Sequence, residues 1–455
     1  MRHSLSLAVL LTLVIFIGVS RAQVPLSLPG AVNRALKAHP DVLMAERDVA
    51  RSRAVFKNVR SSRFPKIDFL FENQYTKTIE KFEPTKIHLT FDDGTDKVIS
   101  PTKDVPEYQS EIAVQATEKL FSGGRIFSAI KGARAGIRSA ERARHTSRRG
   151  IALAATRAYW ELKRAQEVLR IDQEKVEHAE DILKAAKSRH AQGAISKLER
   201  EKAQVDFLNH QGDLSQSQTA RKIAEDTLWL EMGQLEAEKR ELVHAQDEPS
   251  FQPVTFDDEE LKRGIHDALR LRPEMQSAAA KIEAGEAGVG AARSGCFPQV
   301  ELFGRYSWIG YGQDEAGDAW KDIDRNYWVA GVNITLNLFE GLATLSKIEE
   351  EKAVLANSLL EREKMRQSII RQVRKAYNSL IGAAKRVTLL QQSIGLAERN
   401  LEAAKKQFAL GAATIHEVAE YNVSMAETKK EYINALIDYE MAKAELAWAR
   451  GEAWP

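Results

Sequence analysis

In this 455-residue chain, the residues whose types and spacing could do chemistry are carboxylates set just inside helix starts. Ser196-x-x-Glu199 and Thr414-x-x-Glu417 are capping boxes, each opening three residues after the glycine of a Gly-Ala pair, Gly193-Ala194 and Gly411-Ala412. In such a box the hydroxyl and the carboxylate satisfy amides that a helix start leaves free, so the first role of Glu199 and Glu417 is structural. Glu420, one turn further on, has no capping duty. The ten histidines show no H-E-x-x-H or paired-ligand spacing, and there is no nucleophile elbow or P-loop. Gly285, Gly288 and Gly290 imitate a phosphate loop, but no strand precedes them and helical pattern flanks them on both sides, which points to close helix packing. Cys296 is the only cysteine, so an intrachain disulfide and a multi-cysteine metal cluster are excluded. No catalytic residue, cofactor site or metal site is expected, and the chain does not read as an enzyme.

The elements that position these carboxylates come in two copies. Ala35-Leu36, Pro40, Arg60-Ser61 and Phe64-Pro65 recur 233 residues later as Ala268-Leu269, Pro273, Arg293-Ser294 and Phe297-Pro298. Beyond that block the offset is 218: Leu120-Phe121, Ala158-Tyr159, Leu162, Gly193-Ala194 and Gly233 return as Leu338-Phe339, Ala376-Tyr377, Leu380, Gly411-Ala412 and Gly451. The first copy therefore carries a 15-residue insertion between Pro65 and Leu120. A repeated unit of about 200 residues is too long for a short-period solenoid and implies pseudo-two-fold architecture.

Each copy contains a long coiled-coil hairpin. Ile151, Ala155, Ala158, Leu162, Ala165, Leu169, Asp172, Val176, Ala179, Leu183, Ala186 and His190 step by fours and threes, and ten of the twelve are apolar. In the second copy all twelve equivalents, Ile369 to Phe408, are apolar, with Leu390 in the place of Asp172. The pattern predicts helices over 124–189, 196–232, 343–410 and 414–450, and shorter ones over 28–63 and 260–294. A helix of 66 residues is about 100 Å long, more than one globular core needs.

Between the short and the long helix of each copy the period changes to two. Phe64-Pro65 and Phe297-Pro298 end the helices. Ile67, Phe69, Phe71 and Tyr75 then share one face, opposite Asp68, Leu70, Glu72 and Gln74. In the partner run Tyr108, Ser110, Ile112, Val114 and Ala116 lie opposite Glu107, Gln109, Glu111 and Gln115. Val300, Leu302, Tyr306 and Trp308, and then Trp328, Ala330, Val332 and Ile334, repeat the alternation against Glu301, Arg305 and Ser307 and against Asn333 and Thr335. Runs of about 10 to 12 residues with aromatics toward one end match tilted outer-membrane strands. A soluble sheet with one buried face is the competing reading, but it needs an apolar partner layer that these helices do not offer. Phe91-Asp92-Asp93-Gly94, inside the insertion, predicts a small exposed hairpin.

Residues 1–22 read as a cleavable secretory signal: Arg2 and His3, an apolar run from Leu5 to Val19, then Ser20-Arg21-Ala22. Its removal takes two arginines from the formal net charge of +2 and leaves zero, so nucleic acid is not an expected partner. Four strands cannot close a barrel, and an open edge is not tolerated in lipid, so several copies must join. Two, three or four copies give eight, twelve or sixteen strands.

The order and duplication of Leu28-Pro29-Gly30-Ala31-Val32, Phe64-Pro65, Leu120-Phe121-Ser122-Gly123-Gly124, Gln192-Gly193-Ala194, Leu338-Phe339-Glu340-Gly341 and Leu410-Gly411-Ala412 resemble the TolC-type outer-membrane efflux protein family. The resemblance implies a mainly α fold with a membrane β part, in which long coiled-coil hairpins and strand pairs of a homotrimer form an α-barrel tunnel on a 12-stranded β-barrel. It places the protein in the cell outer membrane with a periplasmic extension. There it would be the passive exit duct of a tripartite efflux or type I secretion system, fed by a periplasmic adaptor and an inner-membrane pump of the resistance–nodulation–division or ABC type. The turns Gly193, Ala194, Gly411 and Ala412 would then contact the adaptor. Glu417 and Glu420, with Glu199, would lie at the periplasmic aperture. Asp68, Glu72, Glu107, Glu111 and Glu301 would line the pore and favour cations. Where the family often has a polar or basic tether, this chain has Ala412 and Ala413. The implied organisation is a signal peptide (1–22), a first repeat (23–233, strands 66–76 and 107–119), a linker (234–257) and a second repeat (258–455, strands 299–309 and 327–338). A periplasmic coiled-coil adaptor or structural protein is the alternative; it explains one hairpin but not two, each preceded by a strand pair.

Overall fold

Prolines set the boundaries from which the rest of each repeat follows. The structure, a computed structural model, describes residues 24–77, 87–99, 107–234, 243–254, 257–312, 316–321 and 323–452; the expected signal sequence lies outside them. The first repeat comprises β1 (Val24–Leu26), α1 (Leu28–Ala38), α2 (Pro40–Ser61), β2 (Lys66–Tyr75), the hairpin β3 (Ile87–Thr90) and β4 (Asp96–Ile99), β5 (Tyr108–Phe121), α3 (Arg125–Ala191) and α4 (Lys197–Glu231). After β6 (Val243–Ala245) come α5 (Asp258–Leu271), α6 (Pro273–Arg293), β7 (Gln299–Gly312), α7 (Ala316–Lys321), β8 (Arg325–Thr335), α8 (Ala343–Ala409) and α9 (Ile415–Arg450).

The expected helices 28–63 and 260–294 are each divided in two. His39 and Arg272 take extended geometry, with ψ of 130° and 129°, because the following proline crowds a helical neighbour. Pro40 and Pro273 then open α2 and α6, where a missing N–H costs no hydrogen bond. α3 and α8 are 67 residues each and bear out the long helices. The described chain divides into two compact units, one of residues up to 47, 142–275 and from 364 on, the other of 48–141 and 276–363.

In the first unit the heptad seam is the core. Ile369, Val373, Ala376, Leu380 and Val387 of α8 pack with Ala435, Leu436, Tyr439, Ala442 and Leu446 of α9. Ala158, Tyr159 and Leu162 of α3 pack with Leu228 and Trp229 of α4 and with Leu26 and Val243. The last two belong to β1 and β6, which pair in parallel, an element absent from the sequence reading. The duplicated Ala-Tyr motif earns its place here: Tyr159 Oη meets Leu26 O at 3.1 Å and Asp247, and Tyr377 Oη donates to Asp257 O at 2.7 Å. Each hydroxyl thereby ties down the chain that enters a short helix, α1 or α5.

In the second unit one antiparallel sheet runs in the order β2-β5-β7-β8. Its register carries the alternation across all four strands. Phe69 pairs with Val114, Val114 with Tyr306 and Tyr306 with Trp328, so the apolar sets of the two repeats form one continuous face. That face is open: Phe69 is 70% and Trp328 72% exposed. On the opposite face Ala113 and Ser307 are fully buried by their neighbours. At one rim α7 lies against the apolar face, Trp320 stacking on Phe71 with ring centroids 4.7 Å apart. Gly285, Gly288 and Gly290 of α6 approach Leu355, Glu351 and Ser128 too closely for a side chain to fit unchanged, which bears out close packing over phosphate binding. No described helix is long and apolar enough to cross a membrane.

Candidate functional site

The hairpin turns of the first unit are built identically. Gly193 (φ 73°) and Gly411 (φ 76°) take the left-handed conformation that ends a helix with least strain. The amides of Gly193 and Ala194 return to His190 O and Arg189 O at 2.9 Å; those of Gly411 and Ala412 return to Phe408 O and Gln407 O at 3.0 and 2.9 Å. Both capping boxes form. Glu199 Oε2 accepts from Ser196 N at 2.8 Å, and Glu417 Oε2 accepts from Thr414 N at 2.6 Å; each hydroxyl accepts the glutamate's amide at 3.2 Å.

These backbone donors hold the Glu199 and Glu417 carboxyls below the usual carboxylate range. A group whose folded value is lowered supports the fold above its unfolded value and ceases to do so as pH falls through the folded value. Protection of the first-turn amides of α4 and α9, corrected for intrinsic exchange, should therefore fall as the pH is lowered through and below the ordinary carboxylate range. Glu417→Gln should remove this dependence in α9, whereas Thr414→Ala, which keeps the backbone donor, should cost about 1 kcal/mol through loss of the hydroxyl cap.

Glu420 is not a cap. Its Oε1 lies 3.1 Å from His416 Nε2, and that nitrogen also touches Lys202 Nζ of α4. Glu420, His416 and Lys202 line a cleft of about 550 Å³ with His178, Asp206 and His210, drawn from α3, α4 and α9, and with Leu401 and Lys405 of α8. Arg189 of α3 stacks over the Phe408 ring of α8 at 5.2 Å. Sequence reading missed Lys202 and Arg189, because each is joined to a residue on another helix and nothing in its own segment signals the partner; His416 was missed too, although its spacing of four from Glu420 on α9 could have found that pair. Among the described residues no group of histidines, cysteines and acids could hold a metal ion.

The strand acids share one face of the sheet, as the alternation predicts, but cations accompany them. Arg305 Nη2 meets Glu111 Oε1 at 2.7 Å and Glu72 Oε2 at 3.6 Å, Lys66 meets Asp68 at 2.8 Å, and Glu301 pairs in register with Lys119. Glu107, just before β5, extends the ladder through its carbonyl, which accepts from Thr76 N at 2.8 Å. The expectation of a cation-favouring face counted the acids alone, whereas Lys66, Lys119, Arg305 and Arg325 lie on the same face.

The family model described as outer membrane efflux protein matches residues 31–234 and 264–452, one block per repeat. The chain belongs to the outer membrane efflux protein family. This family member is 22% identical to the solvent efflux pump outer membrane protein SrpC of Pseudomonas putida, over 93% of the chain and 84% of that relative. It is 21% identical to the outer membrane protein TolC of Salmonella enteritidis, of which it spans only 25%. Among solved structures, the CmeC outer membrane channel of Campylobacter jejuni superposes with a TM-score of 0.76 at 17% identity, over 93% of this chain and 85% of that one. The fold of this outer membrane efflux protein is thus that of the solved outer-membrane channels.

Proposed function

We propose that three copies of this chain close a twelve-stranded barrel and serve as the passive exit duct of an efflux or secretion assembly. The four-stranded sheet carries this reading. One face is a continuous apolar surface rich in exposed aromatics, as lipid contact requires, while the other is polar. The outer strands β2 and β8 have unpaired edges and run in opposite directions, so β8 of one copy can pair antiparallel with β2 of the next and leave no edge in the bilayer. Twelve strands enclose more than the filled interior of eight.

The helices form the periplasmic extension of the duct, with Glu417 and Glu420 near its aperture and the turns at Gly193 and Gly411 facing an adaptor that recruits the pump. Leu198 and Leu410 beside those turns are 75% and 84% exposed, apolar groups available to such a partner. The strand face bearing Arg305, Glu72 and Glu111 lines the pore.

Chain purified from the outer-membrane fraction should migrate unheated as an SDS-resistant oligomer of three copies and collapse to monomer on boiling. It should also conduct ions across a planar bilayer. Recovery solely as a soluble periplasmic monomer would overturn the proposal in favour of a coiled-coil adaptor.

A further inference from the structure

The two hairpins of the first unit meet along α3 and α9, where charged pairs repeat at coiled-coil spacing. Arg157 pairs with Glu445; seven residues on, Arg164 Nη2 meets Asp438 Oδ1 at 2.6 Å; eight further on, Asp172 Oδ2 meets Lys430 Nζ at 3.5 Å. Glu174 and Lys429 follow at 3.7 Å. For the first three pairs the steps on the two helices are equal and opposite, so they belong to one antiparallel register, and Glu174–Lys429 lies one residue off it. The sign reverses partway: cations stand on α3 in the first two pairs and on α9 in the last two.

Asp172 stands apart from the others. It is the acid in the heptad seam whose counterpart is Leu390, it is 1% exposed, and Ser217 Oγ of α4 donates to its Oδ2. Its Oδ1 has no hydrogen-bond partner among the described residues, and the residue borders a cavity of about 210 Å³ lined also by Asp213, Gln216 and Lys430. Leucine at this position, as in the second repeat, would pack with less desolvation, so a buried carboxylate here is a poor choice for stability alone.

We propose that Asp172, held by Ser217 and Lys430, is a positioning residue that selects one register of the second hairpin against the first. An alanine-rich seam with a seven-residue repeat tolerates sliding by one heptad, because small apolar groups replace small apolar groups. Asp172 does not tolerate it. A slide of seven residues one way sets it against Val423, and the other way against the buried Ile437 and the like-charged Asp438, stranding a desolvated carboxylate in both cases. The pin therefore also fixes the level of Glu417 and Glu420 relative to Gly193, a consequence that rests on the duct reading; the pin itself does not.

Disulfide trapping in the full chain, extracted in detergent and carrying Cys296→Ser, tests this. Ala179→Cys with Val423→Cys, two positions lining one cleft, reports the native register; Ala186→Cys with Val423→Cys reports the slide by one heptad. With Asp172 present, the first pair alone should crosslink. With Asp172→Leu the slid crosslink should rise by about tenfold or more, whereas Asp172→Asn, which keeps the hydrogen-bonding shape, should stay native. Asp172→Leu chain that remains trimeric, melts no lower than the parent and forms solely the native crosslink would overturn the proposal. That outcome leaves the duct reading intact, since the trimer and its conductance are read separately.

Discussion

Gly233→Ala is expected to destabilise the first unit by about 3 kcal/mol or more, the largest loss from any single added methyl at the helix-terminating glycines. Two costs combine. Gly233 has φ of 78°, and an L-residue held there costs about 1–2 kcal/mol. The new Cβ would also lie 2.6 Å from Ala38 C, 2.7 Å from Ala38 O and 2.8 Å from His39 N. That backbone has no rotamer by which to yield, since it is the junction that Pro40 holds open between α1 and α2. Gly193→Ala supplies the control: its φ is 73°, yet nothing lies within 4 Å of an added Cβ, so only the conformational cost of about 1–2 kcal/mol remains. Thermal unfolding of the two variants in detergent, followed by circular dichroism, measures the difference. Equal losses would show that the approach of α4's end to the α1–α2 junction does not constrain stability.

Phe69→Arg is expected to abolish the membrane-inserted oligomer, while Asp68→Arg leaves it assembled. The two positions adjoin on β2 but point to opposite faces, Phe69 toward the exposed aromatic surface and Asp68 toward the face of Arg305 and Glu111. Arginine on a lipid face near the bilayer centre costs about 2–4 kcal/mol per copy, and three copies multiply that to a sum comparable with the stability of a typical domain. On the polar face the same side chain meets water; the loss there is the Lys66–Asp68 pair, an exposed contact of small value. The fraction of chain recovered as heat-modifiable oligomer reads assembly, and ion selectivity in planar bilayers reads the second substitution. If both variants assembled equally well, lipid would not be what the aromatic face contacts.

Much of this architecture was legible because period encodes which face a residue occupies. The 218-residue offset anticipated two helices of equal length, and the alternation in β2, β5, β7 and β8 anticipated the faces that the observed register joins. The capping boxes were legible for the same reason: their partners sit three residues apart. What stayed hidden depends on residues far apart in the chain. β1 and β6 are three residues each, one interrupted by Pro25, and are too short to show a period. Arg157, Arg164 and Glu445 read as a solvated helix face, and only the approach of α3 to α9 turns them into a register. Arg305 likewise read as one polar residue among several, and its reach to Glu111 and Glu72 follows from β7, β5 and β2 lying side by side in that order.

The β3–β4 hairpin occurs in the first repeat and has no counterpart in the second, where β7 passes to β8 through α7. In the proposed ring of three chains the hairpin would therefore recur as three identical prongs. A trivalent binder whose arms span the prongs would hold the ring far more tightly than any one arm could alone, and a bivalent one would always leave a prong unoccupied.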